Sequence, residues 1–349
     1  MAEPTLSARA LNRALLARQM LLERSSLGLT EVMEQMGGIQ TQYAPAGYIG
    51  LWSRMRDFDR PMLTRALEER RAIQATMMRA TIDTVSASDY WPMTAGIRRI
   101  RREWFEKVGR REIATLDTDA IADEVRRDLA AGPLPMKELT ERLVARGVPA
   151  VAAKWAGMWV DLVRVPPSGT WERRRADLCG LADQWLPPLD VTEEQGMELL
   201  IRRYLGAFGP APLKDIAGWM GMNVGQIRSI ADAMELRTLR DEAGKPLLDL
   251  PDAPLPDPEV PAPPRFLAVW DAALLVHARR TQILPEAYRP LVFNTKTPHS
   301  VNTFLLDGQV AGSWRFENGE IGLAPMRPLA PDERRELDEE AHRLTAFHA

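Results

Sequence analysis

Apolar residues recur at helical spacing from the start of the chain. Leu6, Leu11, Leu15, Leu16 and Leu22 form one stripe, which predicts a helix over 5–23 capped by Ser7 or Thr5. Val32, Met33 and Met36 form a second, predicting a helix over 29–37 that Thr30 caps and Gly37-Gly38 ends. Two short helices follow at 47–55 and 60–70. The pattern then changes to IQATMMRATIDTVSA over 73–87, rich in Ile, Val and Thr, which predicts two short strands or one hairpin. Helices leading into a β-hairpin are the winged-helix arrangement.

The same order recurs. Gly132-Pro133-Leu134-Pro135-Met136-Lys137-Glu138-Leu139 resembles Gly209-Pro210-Ala211-Pro212-Leu213-Lys214-Asp215-Ile216 at a constant offset of 77. Each copy follows a predicted helix (118–130 and 192–208) and opens a helix with proline in its first turn. Each leads to a second helix (149–162 and 223–234) and then to strand-like sequence around a turn, at 163–178 and 236–250. Seven prolines in 251–264 mark a stiff, extended connector. Beyond it, 265–328 is strand-rich: FLAVWDAALLV, then VNTFLL-DG-QVAGSWRF-ENG-EIGLAP, a three-stranded meander whose Asp307-Gly308 and Asn318-Gly319 are hairpin turns. A charged helix over 331–347 ends the chain. The expectation is a mainly α protein with small β elements. Three tandem winged helices (1–112 with the N-terminal helix, 113–190 and 191–250) are followed by the connector 251–264 and a C-terminal β element with its tail helix, 265–349.

Composition narrows the class. Hydrophobic residues make up 45% and charged residues 27% of 349, which excludes a disordered or collagen-like chain. A single cysteine, Cys179, excludes a disulfide framework and a cysteine zinc finger, and its strand-like setting suits a buried structural role. No run approaches about 18 apolar residues and the N-terminus lacks an apolar signal core, so the expected location is the cytoplasm, with no membrane partner. The net charge is −3, but 249–259 and 331–340 carry −4 each and the remainder is +5. Basic residues cluster at 98–112, with Arg98, Arg99, Arg101, Arg102, Lys107, Arg110 and Arg111, and at Arg173, Arg174 and Arg175. Such clusters are either a nucleic-acid face or solvated helix surface.

Most chemical signatures are missing. The sequence has no phosphate-binding GxxxxGK[ST], no GxGxxG after a strand and no GxSxG. His277, His299, His342 and His348 lack metal-ligand spacing. Tandem winged helices most often bind duplex DNA through a recognition helix and a wing, so on fold alone a non-enzymatic DNA-binding protein, a transcription regulator or architectural factor, is one reading.

The stretch GIQTQYAPAGYIGLW (38–52) supplies another. Together with LNRALLARQMLLER (11–24), MMRATIDTVSASDY (77–90), PPRFLAVWDAALLVHARRTQI (263–283) and FLLDGQVAGSWR (304–315), it resembles the AlkZ/YcaQ superfamily of winged-helix DNA glycosylases, the AlkZ-like branch in particular. The resemblance covers nearly the whole chain. The family's Gln-x-Gln signature is Gln40-Thr41-Gln42 here; the YcaQ branch typically has Asp at the second position. The resemblance implies monofunctional hydrolysis of the N-glycosidic bond of alkylated purines in double-stranded DNA, without a cofactor, metal or Schiff base. It extends the substrates to bulky genotoxin adducts and interstrand crosslinks, in repair or self-resistance. Nothing in the sequence demands a dimer, so the expected state is a monomer. The chain departs from the family where members often carry His at Asp83, and at Ala272 and Arg279.

The two glutamines make chemical sense. Alkylation at N7 of guanine or N3 of adenine makes the base cationic, so it leaves as a neutral group and needs no general acid. What remains is to align a water beneath C1′ and support the oxocarbenium-like transition state. A Gln amide is no base near pH 7, but it orients water by accepting and donating hydrogen bonds. Gln42 is read as orienting the water and Gln40 as fixing it or touching the deoxyribose. From spacing alone both are equally solvent-facing residues at a helix–loop junction. Candidate DNA contacts are Arg79, the wing residues Arg173, Arg174 and Arg175, and Lys296 and His299 in the stretch 294–302, where the family engages DNA with a hairpin.

Overall fold

The computed structural model describes residues 4–108, 116–278, 281–294 and 299–349. The first helix is shorter than its apolar stripe. Thr5–Leu6 is a strand, β1, and α1 runs only from Ala8 to Arg18. Ser7 caps it, its hydroxyl accepting the Ala10 N–H at 3.1 Å. β1 is withdrawn from the helix because it pairs in parallel with Arg240 and Asp241, far along the chain. The helix ends because Met20 takes a left-handed φ of +53°. Gly28 rather than Thr30 caps α2 (Leu29–Gln35): the Glu31 carboxylate accepts the Gly28 N–H at 2.8 Å, and Thr30 falls inside the first turn. Gly37 and Gly38, at φ +71° and +86°, end α2 as expected. β2 (Ile39–Gln40), α3 (Ala44–Arg54), α4 (Arg60–Glu68) and the hairpin β3 (Ala72–Thr76) with β4 (Ile82–Ser86) complete the first helix–helix–hairpin unit, and α5 (Ala87–Val108) leaves it.

The second unit contains α6 (Thr118–Leu129), β5 (Leu134–Pro135), α7 (Met136–Ala145), α8 (Ala150–Lys154), β6 (Leu162–Arg164), β7 (Leu178–Leu181) and α9 (Ala182–Trp185). The helix expected over 149–162 is cut to α8 and one 3-10 turn, because Leu162 and Val163 are taken into a sheet. The third unit is α10 (Glu193–Phe208), α11 (Leu213–Met220), α12 (Val224–Ala233) and the hairpin β8 (Arg237–Asp241) with β9 (Pro246–Asp249). In both repeats the proline, Pro135 or Pro212, is the residue before the helix rather than one inside it.

In the C-terminal region FLAVWDAALLV is only part strand. β10 (Arg265–Leu267) gives way to α13 (Ala272–Leu275), because the Asp271 carboxylate accepts the Ala273 N–H and starts a helix. Then come α14 (Arg289–Val292), the pair β11 (Phe293–Asn294) and β12 (His299–Ser300), the meander β13 (Thr303–Leu306), β14 (Gln309–Glu317) and β15 (Glu320–Pro325), and α15 (Pro331–His348). Both turns of the meander have two successive positive φ values, as Asp-Gly and Asn-Gly predict.

The hairpins of the first two units join in one six-stranded sheet, β2-β4-β3-β6-β7-β5. One apolar core unites α1, the first hairpin, α5 and the third unit; a second packs α2, α3 and α4 against the meander and α15; a third fills the second unit. Trp314 is buried in the second core, and Cys179 is buried in the third, as its strand-like setting predicts. Buried ion pairs link distant segments. Arg18, fully buried, bonds Asp249 through two nitrogens, at 2.6 and 3.0 Å, and donates to Pro254 O. Arg13 donates to Val260 O, so the proline-rich connector is fixed along α1. Arg54 pairs with Asp271 at 2.9 Å and ties α3 to the start of α13.

Candidate active site

The Gln-x-Gln stretch enters the sheet directly after the two glycines. Ile39 pairs with Thr84 and Gln40 with Asp83, which places β2 on the edge beside β4. The Thr41 N–H donates to Ile82 O at 2.8 Å. The Thr41 hydroxyl is buried, bonds the Thr84 hydroxyl at 2.9 Å and accepts from Gln74 Nε2 at 3.0 Å. Thr41 therefore anchors the stretch from inside while its two neighbours stay reachable.

Gln42 is exposed, yet its side chain is held. Its Oε1 accepts the Ile82 backbone N–H at 3.1 Å. Because a backbone N–H only donates, this bond fixes which end of the amide is oxygen. One lone pair of Oε1 and both Nε2 hydrogens remain available. Gln42 lines a cavity of about 390 Å³ between the first hairpin, α5 and the second unit, with Tyr90, Arg101, Lys154, Trp155, Asp161 and Arg164 among its walls. Gln40, half-buried, opens instead onto a narrow cleft with Gly38, Val269, Trp270 and Asp271. The two glutamines thus face different recesses.

Asp83, across the ladder from Gln40, is 7% exposed and accepts the Thr81 hydroxyl at 3.0 Å. Burial pushes its carboxyl up to about 7, against the pull of Thr81 and the Arg79 guanidinium. Arg79 sits at the hairpin tip with φ +52°, exposed and without an ion pair among the described residues. It lines a second recess that shares Ala80 and Arg101 with the Gln42 cavity. On the second wing, Arg173, Arg174 and Arg175 are exposed. Arg173 lies 3.5 Å from Asp177, and Arg174 donates to the Tyr43 hydroxyl at 3.2 Å. Arg175 makes no ion pair among the described residues. A wing tip by its sequence has little core to join, yet this one does join a core: Trp171 is buried in the second core, edge-on to Tyr48 and Phe347. Tyr48 is core, its hydroxyl bonded to Thr64.

Much of the basic run in α5 is satisfied internally. Arg98 pairs with Asp161, Arg99 with Glu193 and Glu103, and Arg102 donates to two backbone carbonyls. Arg110, Arg111, Arg279 and Lys296 lie outside the described residues. His299 is placed in β12, opposite Asn294, with its side chain outside the description. Sequence reasoning missed Lys154, Trp155, Asp161 and Arg164. The one local signal is an arginine inside the apolar strand Leu162-Val163-Arg164-Val165.

Helix–helix–hairpin units, a Gln-x-Gln edge strand and a cationic cavity beside it fit one class. A model of the AlkZ-like DNA glycosylase family matches residues 33–347, and this chain belongs to that family. Among solved structures it is similar to the Streptomyces sahachiroi DNA glycosylase AlkZ, with a TM-score of 0.81 over 98% of this chain and 97% of that one. The two are 20% identical, so the likeness is one of fold. No curated protein matches the chain. Among the described residues, no helix is long and apolar enough to cross a membrane.

Proposed function

We propose that this protein hydrolyses the N-glycosidic bond of N7-alkylated, cationic purines in duplex DNA, bulky adducts and interstrand crosslinks included, with Gln40 and Gln42 as its catalytic residues. The observation that carries the reading is the Gln42 amide, exposed at a cavity mouth and oriented by the Ile82 N–H. An amide fixed this way presents a donor and an acceptor to one water with little rotamer freedom left to lose. The cationic base leaves as a neutral group, so the site needs alignment rather than an acid. The negative end of the same carbonyl dipole also favours the positive charge that develops on the sugar. Gln40 contacts the deoxyribose from its own cleft, and Arg79, Arg174 and Arg175 meet phosphates along the duplex.

The test is base release from a duplex containing 7-methyl-2′-deoxyguanosine. Wild type should yield an abasic product. Gln42→Ala should lower the rate by about 10²-fold, the order lost with one transition-state hydrogen-bonding group, while affinity for an abasic-analogue duplex persists. No release by wild type from this duplex or a bulky-adduct duplex refutes the reading. Retained duplex binding in that case places the protein with non-enzymatic winged-helix DNA-binding proteins.

A further inference from the structure

The cavity beside Gln42 has a charge that the proposed chemistry does not use. Arg101, Lys154 and Arg164 line it against one carboxylate, Asp161. Asp161 is already engaged: Arg98 bonds its Oδ2 at 2.8 Å and Arg101 reaches its Oδ1 at 3.4 Å. Arg101 also donates to the Thr76 carbonyl. Lys154 and Arg164 make no ion pair among the described residues.

Arg164 is the telling residue. It sits in β6 between buried Val163 and Val165, paired across the sheet with Gln74 and Cys179. Its side chain lines the cavity, and its Nη1 is buried without a hydrogen-bond partner. A guanidinium in so apolar a setting is expensive unless something accepts from it. Burial already draws its pKa down, against the opposing pull of Cys179 and Asp177. The remaining walls, Met136, Trp155, Met158 and Leu162 among them, offer no charge.

A cationic purine is repelled by such walls, and an anion is drawn in. Resting on the glycosylase reading, we infer that this cavity is a phosphodiester site: Arg164 and Lys154 take a backbone phosphate next to the lesion, so the DNA backbone and not the alkylated base enters the cavity. The base then lies on the far side of Gln42, and one phosphate fixes the sugar's position relative to the amide.

Binding of an uncleavable abasic-analogue duplex, measured against salt concentration, tests this. Arg164→Met and Lys154→Met should each lower the slope of log K against log salt, and the double variant should lower it by about one, the signature of one lost phosphate contact. Single methylphosphonates placed along the lesion strand should then reveal one flanking position that weakens wild type about tenfold, weakens Arg164→Met less and leaves the double variant indifferent. Unchanged slopes in both single variants, or a methylphosphonate penalty that is undiminished in Arg164→Met, overturn the site. So does a purely structural Arg164, bonded to the Gln74 amide, which would lower the melting temperature of the variant without moving the slope. If Arg164→Met does not fold, Lys154, being exposed, carries the same test. Stabilisation by inorganic phosphate without any sensitive backbone position would mean a free-anion site and refute the proposal. Base release is scored separately: an enzyme that releases base with unchanged slopes loses only this site, and one that shows the slopes without release loses only the activity.

Discussion

Replacing Asp83 by asparagine should stabilise the protein at alkaline pH and change little in acid. Burial raises the carboxyl from its ordinary 3.8 up to about 7 in the folded chain. The native state therefore holds a proton that the unfolded chain releases at lower pH. Stability falls as pH rises between those values, since over that range the folded state binds more protons than the unfolded one. Below about pH 4 both states are protonated and nothing is lost. Above the folded value the loss is complete, and at about 1.4 kcal/mol per pH unit it reaches roughly 4 kcal/mol. Asparagine copies the protonated acid: its Oδ1 still accepts the Thr81 hydroxyl, and it carries no charge to desolvate. For 349 residues the unfolding entropy is about 0.7 kcal/mol per degree, so the gain corresponds to a rise in Tm of about 5 °C at pH 9. Thermal unfolding followed by tryptophan fluorescence in a pH series checks it. The two proteins should coincide near pH ~4 and separate progressively above neutrality. A Tm difference that does not change with pH, or a wild type that is the more stable at pH ~9, would show that Asp83 is ionised without strain and that Thr81 and Arg79 outweigh its burial.

Two further outcomes follow from packing. Where α5 crosses α10, a methyl added at Gly196 would stand 2.3 Å from Pro92 O and 2.4 Å from Gly96 N, so Gly196→Ala should destabilise by about 3 kcal/mol or more, read from urea unfolding. Cys179 is fully buried and its thiol is pushed up to about 11 by burial, so it should resist an aromatic disulfide reagent at neutral pH and react at once in denaturant.

How far the fold was legible depended on the reach of the interactions involved. Gly37-Gly38, Asp307-Gly308 and Asn318-Gly319 announce themselves because their backbone angles are set by the residues themselves. The apolar stripe of α1 was equally visible, but its start was not. Thr5 and Leu6 leave the helix for a partner strand more than 230 residues away, and no local period reports that. The 149–162 segment failed for the same reason: its helical apolar pattern continues into Leu162 and Val163, which the sheet claims. The wing bearing Arg173 to Arg175 reads as a free tip until Tyr48 and Phe347 are seen to receive Trp171. In the site, Gln40 and Gln42 stood out through the block around them. The bond that orients Gln42 comes from Ile82, forty positions on, and the cavity it faces is walled in part by a different unit.

That distance bears on why position 42 holds an amide. A glutamate there could accept the Ile82 N–H as well as Gln42 does. It would also face Arg164 and Lys154, two cations that make no ion pair among the described residues. A charge-assisted bond to either would be stronger than one to a backbone N–H and would draw the side chain into the cavity, away from a water. A carboxylate also cannot donate to the water it is meant to hold. Glutamine avoids both: it is neutral, so the cationic cavity leaves it on Ile82, and its Nε2 keeps two donors free. If Gln42 aligns the attacking water, Gln42→Glu should therefore be as defective as Gln42→Ala in base release. Release by Gln42→Glu at the wild-type rate would show that an acceptor alone is sufficient and that the amide's donors play no part.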